Sequence, residues 1–264
     1  MGASSPSDRI SDRLDQLEDN RAVTVLYACE SGSRAWGFPS ADSDYDVRFV
    51  YAHPRDWYLS IDLEQRDDTI DPPIEDDIDL HGWDFRKALQ LFRTTNPTIL
   101  EWLHSPIVYR EEEAVRTRWH DLIPDYYAPG AVGPAYRGMA RSVAEQNLSE
   151  EPIPHKAYLY VLRALLAVRW VEQDRGPVPV EFERLLDAVD LGADLRVAID
   201  TLLDQKRTGA ETEAGPRLPA IHDFIEAELE RQSAMHFPEP ETRPGVAPLN
   251  TFFRDVLDRF SSRP

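Results

Sequence analysis

Apolar residues recur in this chain with two periods, and the change from one to the other divides it. Val23 to Ala28 is a short apolar run that reads as a buried strand, and Asp44 to Tyr51 alternates strictly. In that second segment Tyr45, Val47, Phe49 and Tyr51 share one face, while Asp44, Asp46 and Arg48 share the other. Ile78 and Leu80 alternate in the same way with Asp77, Asp79 and His81. Helical spacing precedes the strands at Ile10, Leu14 and Leu17 and follows them in a helix capped by Asp84, which presents Phe85, Ala88, Leu89 and Phe92. Asn96-Pro97 starts a further helix through Leu103, and 107–109 fits an edge strand.

Beyond Tyr109 the helical period takes over. Helices are predicted near 111–120, 132–149, 155–173, 179–189, 194–206 and 217–232, with a turn at Tyr126 to Gly130. A Pro- and Glu-rich stretch from Phe237 to Pro248 reads as an arm, followed by a short helix from Asn250 to Phe260. The pattern predicts an α+β fold: a small mixed-sheet domain over 1–110, a mainly helical domain over 111–236, and the arm with its helix over 237–264; the length suits one large or two moderate domains, each with its own core.

Charge changes the picture only in part. The 264 residues carry 48 acids against 29 Lys and Arg, a formal net charge of −19, and only Lys87, Lys156 and Lys206 are lysines. The acids are spread along the whole chain, a distribution suited to high salt, where screening leaves a polyanionic partner such as RNA accessible. One cysteine, Cys29, excludes an internal disulfide and reads as a small buried hydrophobe. No apolar run reaches the length of a membrane span and the Ser-rich start lacks a hydrophobic signal region, so a cytoplasmic protein is expected.

The candidate chemistry lies at Gly32-Ser33, followed after ten residues by Asp44-x-Asp46. Acid-x-acid alone is weak, because a chain this acidic should contain it about nine times by chance. Its context is what counts. Two acids on one face of a strand can share divalent cations, and a Gly-Ser turn upstream offers backbone N–H groups and a hydroxyl to phosphate oxygens. Together they point to nucleotidyl transfer from an NTP, with two Mg²⁺ (or Mn²⁺) ions. Such a site needs a third carboxylate, and Asp79, flanked by Ile78 and Leu80, fits better than Asp77 at the mouth of an acidic loop. Arg34 and Arg48 are candidates for phosphate charge, with pairing to structural carboxylates equally open. On the 155–173 helix, Leu159, Leu162, Leu166 and Trp170 form a core stripe. Lys156, Tyr160 and Arg163 fall on an adjoining face, from which they could reach phosphates or could simply be solvated.

These residues resemble a known group. The string Gly-Ser-Arg-Ala-Trp-Gly (32–37), Ser-Asp-Tyr-Asp-Val-Arg (43–48), Gly-Trp-Asp-Phe-Arg-Lys-Ala-Leu (82–89), Asn96-Pro97 and Glu101-Trp-Leu-His-Ser-Pro106 is similar to the RlaP-type branch of the DNA polymerase beta-type nucleotidyltransferases. The likeness continues through Lys156 to Arg163 and spans roughly residues 22–230. It implies a nucleotidyltransferase domain in which Asp44, Asp46 and Asp79 are the catalytic metal ligands and Gly32 and Ser33 hold the triphosphate. Through the branch's proposed link to RNA repair it also implies an RNA acceptor. A protein or small-molecule acceptor, or a non-catalytic nucleotide-binding module, are the alternatives.

Overall fold

A computed structural model describes residues 5–209, 213–238 and 245–260. Helix α1 (Pro6–Arg21), closed at its start by a reciprocal Ser5–Asp8 capping box, leads into β1 (Thr24–Glu30). There follow α2 (Gly32–Trp36), β2 (Tyr45–Ala52), α3 (Arg55–Tyr58), β3 (Thr69–Ile70) and β4 (Ile78–Asp84). The Asp84 carboxylate accepts from the Arg86 N–H and caps α4 (Phe85–Arg93), and Asn96 does the same for α5 (Pro97–Leu103) through Thr98. After β5 (Val108–Glu111) come α6 (Glu113–Tyr126), α7 (Pro129–Asn147), β6 (Ile153–Pro154), α8 (His155–Glu172), α9 (Phe182–Asp187), α10 (Ala193–Thr208), β7 (Ala214–Gly215), α11 (Pro219–Ser233) and α12 (Ala247–Phe260). The chain is α+β, as the two periods predict. Some boundaries differ: α6 runs on to Tyr126 where the helix is expected to end near 120, α9 is shorter than the expected 179–189, and Pro129-Gly130 forms the first turn of α7, where proline's missing N–H costs nothing.

Five strands form one mixed sheet in the order β3-β4-β2-β1-β5, with β2 and β4 parallel and the other neighbours antiparallel. Its two faces bury different cores. Val47, Phe49 and Tyr51 of β2, with Ile78 and Leu80 of β4, pack beside Ile10, Leu14 and Leu17 of α1. Val50 and Ala52 face the other way, into a core that runs without interruption through α4 to α12. A register shift between Val25 and Tyr27 lets β1 contribute Val25 to the first core and both Leu26 and Tyr27 to the second. The cores lie on opposite faces of the sheet, and the larger one spans the boundary at residue 110.

Helix α8 is the axis of that larger core. The expected stripe of Leu159, Leu162 and Leu166 is buried, but so are Val161, Ala164, Leu165, Ala167 and Val168, so the helix is enclosed nearly all round. The predicted arm is anchored at both ends: Phe237 packs against Gly133, and the Tyr126 hydroxyl donates to the Gly245 carbonyl at 2.6 Å. Its middle, 239–244, lies outside the described residues. Among the described residues no helix is long and apolar enough to cross a membrane.

Glu228 of α11 accepts from both Arg169 and Arg231 and from Gln232 at 2.8 Å. Burial alone would raise its carboxyl, but these donors outweigh burial and hold it near 2. A depressed folded-state value gives stability that is present above the unfolded carboxylate's pKa of about 4.3 and lost as pH falls through about 2. Glu228→Gln should flatten the pH dependence of Tm between those limits, as melting curves from pH 2 to 7 would show.

Candidate active site

The sheet face that carries the larger core is open at one end, where β2 and β4 begin. There Asp46 and Asp79 lie directly opposite each other in the parallel ladder, two residues before Arg48 and His81. The Arg48 guanidinium sits between the acids, and its Nη2 donates to Asp46 Oδ1 and to Asp79 Oδ2, both at 2.9 Å. Nη1 donates to the Asp79 carbonyl at 3.1 Å. Of the two roles open to Arg48, the structure thus gives it carboxylate pairing. Asp44 is exposed and lies one residue before β2, in the loop that leads into it, rather than on the strand's polar face as its alternation predicts. Asp77 holds a left-handed backbone, φ 60°, in the turn before β4, so Asp79 is the in-strand acid.

Gly32 is needed for a reason that spacing does not show. It opens α2 with φ 58°, and a Cβ there would lie 2.1 Å from Asp46 Oδ2. The Asp46 carboxylate rests against this bare backbone, while the Ser31 N–H donates to the Asp46 carbonyl at 2.8 Å. The expected Gly-Ser turn is instead the first turn of a short helix, whose leading N–H groups have no partner within it. Ser33 is buried, and its hydroxyl donates to Ser43 Oγ at 3.3 Å. A phosphate held here would therefore meet backbone N–H groups rather than that hydroxyl.

Glu30 is the member of the site that sequence reasoning missed. It ends β1, is almost wholly buried, accepts from the Asp46 N–H at 2.8 Å and takes the Tyr109 hydroxyl on its other oxygen. Burial pushes its carboxyl up to about 7, although both hydrogen bonds pull it back down. The available signal was an acid closing an otherwise apolar strand, directly before Ser31-Gly32-Ser33.

The remaining predicted residues divide. Arg34 braces the loop before β2, donating to the carbonyls of Ser43 at 2.6 Å and Asp44 at 3.0 Å, with its guanidinium 4.0 Å from the Tyr45 ring centroid. Tyr160 meets Trp36 of α2 edge-on at 4.8 Å, and Lys156 is half-buried one turn earlier. Arg163 does not lie on a cleft wall, which corrects the expectation. It is 4% exposed and donates to Glu101 at 2.8 Å and to the Val180 carbonyl, with Trp36 stacked 4.5 Å away. In a helix enclosed all round, a charged residue must find its partner inside. Glu101 also accepts from the Tyr136 hydroxyl at 2.6 Å, so α5, α7 and α8 meet at one carboxylate.

Among the described residues no three metal-binding side chains converge in the arrangement seen. The donor set still suits a hard divalent cation. It consists of carboxylate oxygens, and Asp46 and Asp79 already hold a positive charge between them, with Gly32 leaving room for the Asp46 carboxylate. A cation at that point would take the place of the Arg48 guanidinium.

A mixed sheet with paired acids at the start of its parallel strands, set against a glycine-opened helix, belongs to a nucleotidyltransferase. Residues 7–255 match the family described as RlaP: RNA repair pathway DNA polymerase beta family, and the chain belongs to it. Protein YcgL of Bacillus subtilis (strain 168) is 43% identical over 223 residues, covering 84% of this chain and 85% of its own. A nucleotidyltransferase-like protein from Exiguobacterium sibiricum 255-15 is similar at 13% identity and a TM-score of 0.35, across 97% of this chain and 81% of that one. The family membership rests on the first two of these likenesses.

Proposed function

We propose that this protein transfers a nucleoside monophosphate from an NTP to a hydroxyl of RNA, with divalent metal bound by Asp44, Asp46 and Asp79. What supports the reading above all is the in-register pair Asp46 and Asp79, bridged by the Arg48 guanidinium, with the Asp46 carboxylate against Gly32. Mg²⁺ or Mn²⁺, when bound, would neutralise triphosphate charge and lower the pKa of the attacking hydroxyl. The acceptor oxygen attacks the α-phosphorus in line, a new P–O bond forms, and the bond to the β-phosphate oxygen breaks to release pyrophosphate. Asp79 receives the hydroxyl proton. Backbone N–H groups at Gly32 and Ser33 face the β- and γ-phosphates, and Arg48, once displaced from the acids, adds positive charge beside them. Tyr160, which meets Trp36 of α2, and Lys156 one turn earlier are the helical-region residues proposed to contact phosphates of the nucleotide or acceptor.

RNA is favoured as acceptor by the family's description. The experiment is incubation of the purified protein with each α-labelled NTP and Mg²⁺ or Mn²⁺, at low and high salt, against pooled RNA and pooled protein. Ribonuclease-sensitive incorporation is expected. Label that survives ribonuclease and yields to protease would assign a protein acceptor instead.

A further inference from the structure

The loop that delivers Asp44 and Asp46 is held by a lysine 166 residues away in sequence. Lys206 of α10 is 1% exposed, and its Nζ donates to Ser40 Oγ at 3.0 Å. Ser40 Oγ lies 2.8 Å from Ser43 Oγ, which also accepts from the Ser40 N–H at 3.0 Å and from Ser33 Oγ at 3.3 Å. All three serines are buried. An ammonium can only donate, so Ser40 Oγ accepts from Lys206; the two lone pairs of Ser43 Oγ are taken by the Ser40 N–H and Ser33 Oγ, so its hydroxyl donates to Ser40 as well. Ser40 Oγ is thus the shared acceptor that joins Lys206 to Ser43. Burying an ammonium is costly unless it makes strong hydrogen bonds, and one of those Lys206 makes is to the segment between α2 and β2. Arg34 clamps the same segment from the other side, through the carbonyls of Ser43 and Asp44.

We propose that Lys206 is a positioning residue for nucleotidyl transfer. Through Ser40 and Ser43 it fixes the loop that presents Asp44 and Asp46 and ties that loop to Ser33 at the start of α2. Lys206 touches neither metal nor substrate. The helical region thus helps to build the site as well as enclose it. The inference rests on the assignment of Asp44, Asp46 and Asp79 as the transfer centre.

The test uses Lys206→Met, which keeps the length and loses the donor, and Ser40→Ala, which removes the hydroxyl that accepts from it. Binding of Mn²⁺ with each of the four α,β-methylene nucleoside triphosphates is measured by calorimetry on the full chain, alongside Tm, with Leu203→Ala on α10 as a packing control. Lys206→Met and Ser40→Ala should each weaken Mn²⁺–nucleotide binding about tenfold, the size of one lost charged hydrogen bond. The double variant should lose no more than the worse single one, because both cut the same chain of bonds. Leu203→Ala should lower Tm and leave affinity unchanged. Should Lys206→Met not fold, Ser40→Ala decides. A lowered Tm with wild-type affinity in Lys206→Met and Ser40→Ala overturns the proposal and leaves Lys206 as packing. Failure of the wild type itself to bind would overturn the transfer reading, and this inference with it.

Discussion

Asp46→Asn is expected to reduce nucleotidyl transfer by on the order of a thousandfold while folded protein is still recovered. Three constraints meet at this side chain: Gly32 against one oxygen, Arg48 on the other, and Glu30 and Ser31 on its backbone. The neutral amide fits the same space but cannot balance metal charge, and a loss of about 4 kcal/mol in the transition state corresponds to about a thousandfold. The fold should survive because the side chain is partly exposed and the ladder between β2 and β4 runs through backbone atoms. Removing an acid from a cluster often stabilises it by relieving repulsion. That gain is not expected here, because Asp46→Asn also removes one of the two ion pairs Arg48 makes, so Tm should stay level or fall slightly. Single-turnover transfer with saturating Mg²⁺, beside circular dichroism, checks both halves. Near-normal transfer would remove Asp46 from the site.

Arg163→Ala should be the most destabilising single change at the junction of sheet and helices, costing about 3–5 kcal/mol. It leaves Glu101 buried without its cation and the Val180 carbonyl without a donor, and it strips the guanidinium from the Trp36 ring. Glu101 would keep only the Tyr136 and Trp36 donors. Urea unfolding at fixed pH measures the cost. In the folded fraction, Mn²⁺–nucleotide affinity should change far less than in Asp46→Asn, since Arg163 faces Glu101 and not the acids. A loss below about 1 kcal/mol would show that the pair is not what joins α5 to α8.

The contrast between these two residues shows what a sequence can reveal about such a site. Asp46 and Asp79 were legible because strand alternation is rigid: once Val47 and Leu80 face a core, the flanking acids must face the other way. Asp44 escaped that logic because the strand begins one residue after it. The caps at Asp84 and Asn96 were legible for a similar reason, since a short side chain bonding its own backbone is a local event. Arg163 was misplaced because its partners come from helices 62 residues upstream and from the Val180 segment downstream, and no periodicity reports how many neighbours surround α8. Glu30 and Lys206 were missed alike. Each is a buried charged residue whose purpose appears only when a segment distant in sequence folds onto it. Gly32 is singled out in the sequence for a phosphate, whereas a positive φ and the approach of Asp46 are what the structure shows to require a glycine there.

The most direct measurement is Mn²⁺ binding in the presence of a non-hydrolysable NTP, followed by electron paramagnetic resonance, in the wild type and in Asp46→Asn and Asp79→Asn. Loss of the free-ion signal is predicted for the wild type alone, with both variants leaving Mn²⁺ in solution at the same protein concentration. Equal uptake by all three proteins would contradict the assignment of these acids as the metal-binding centre.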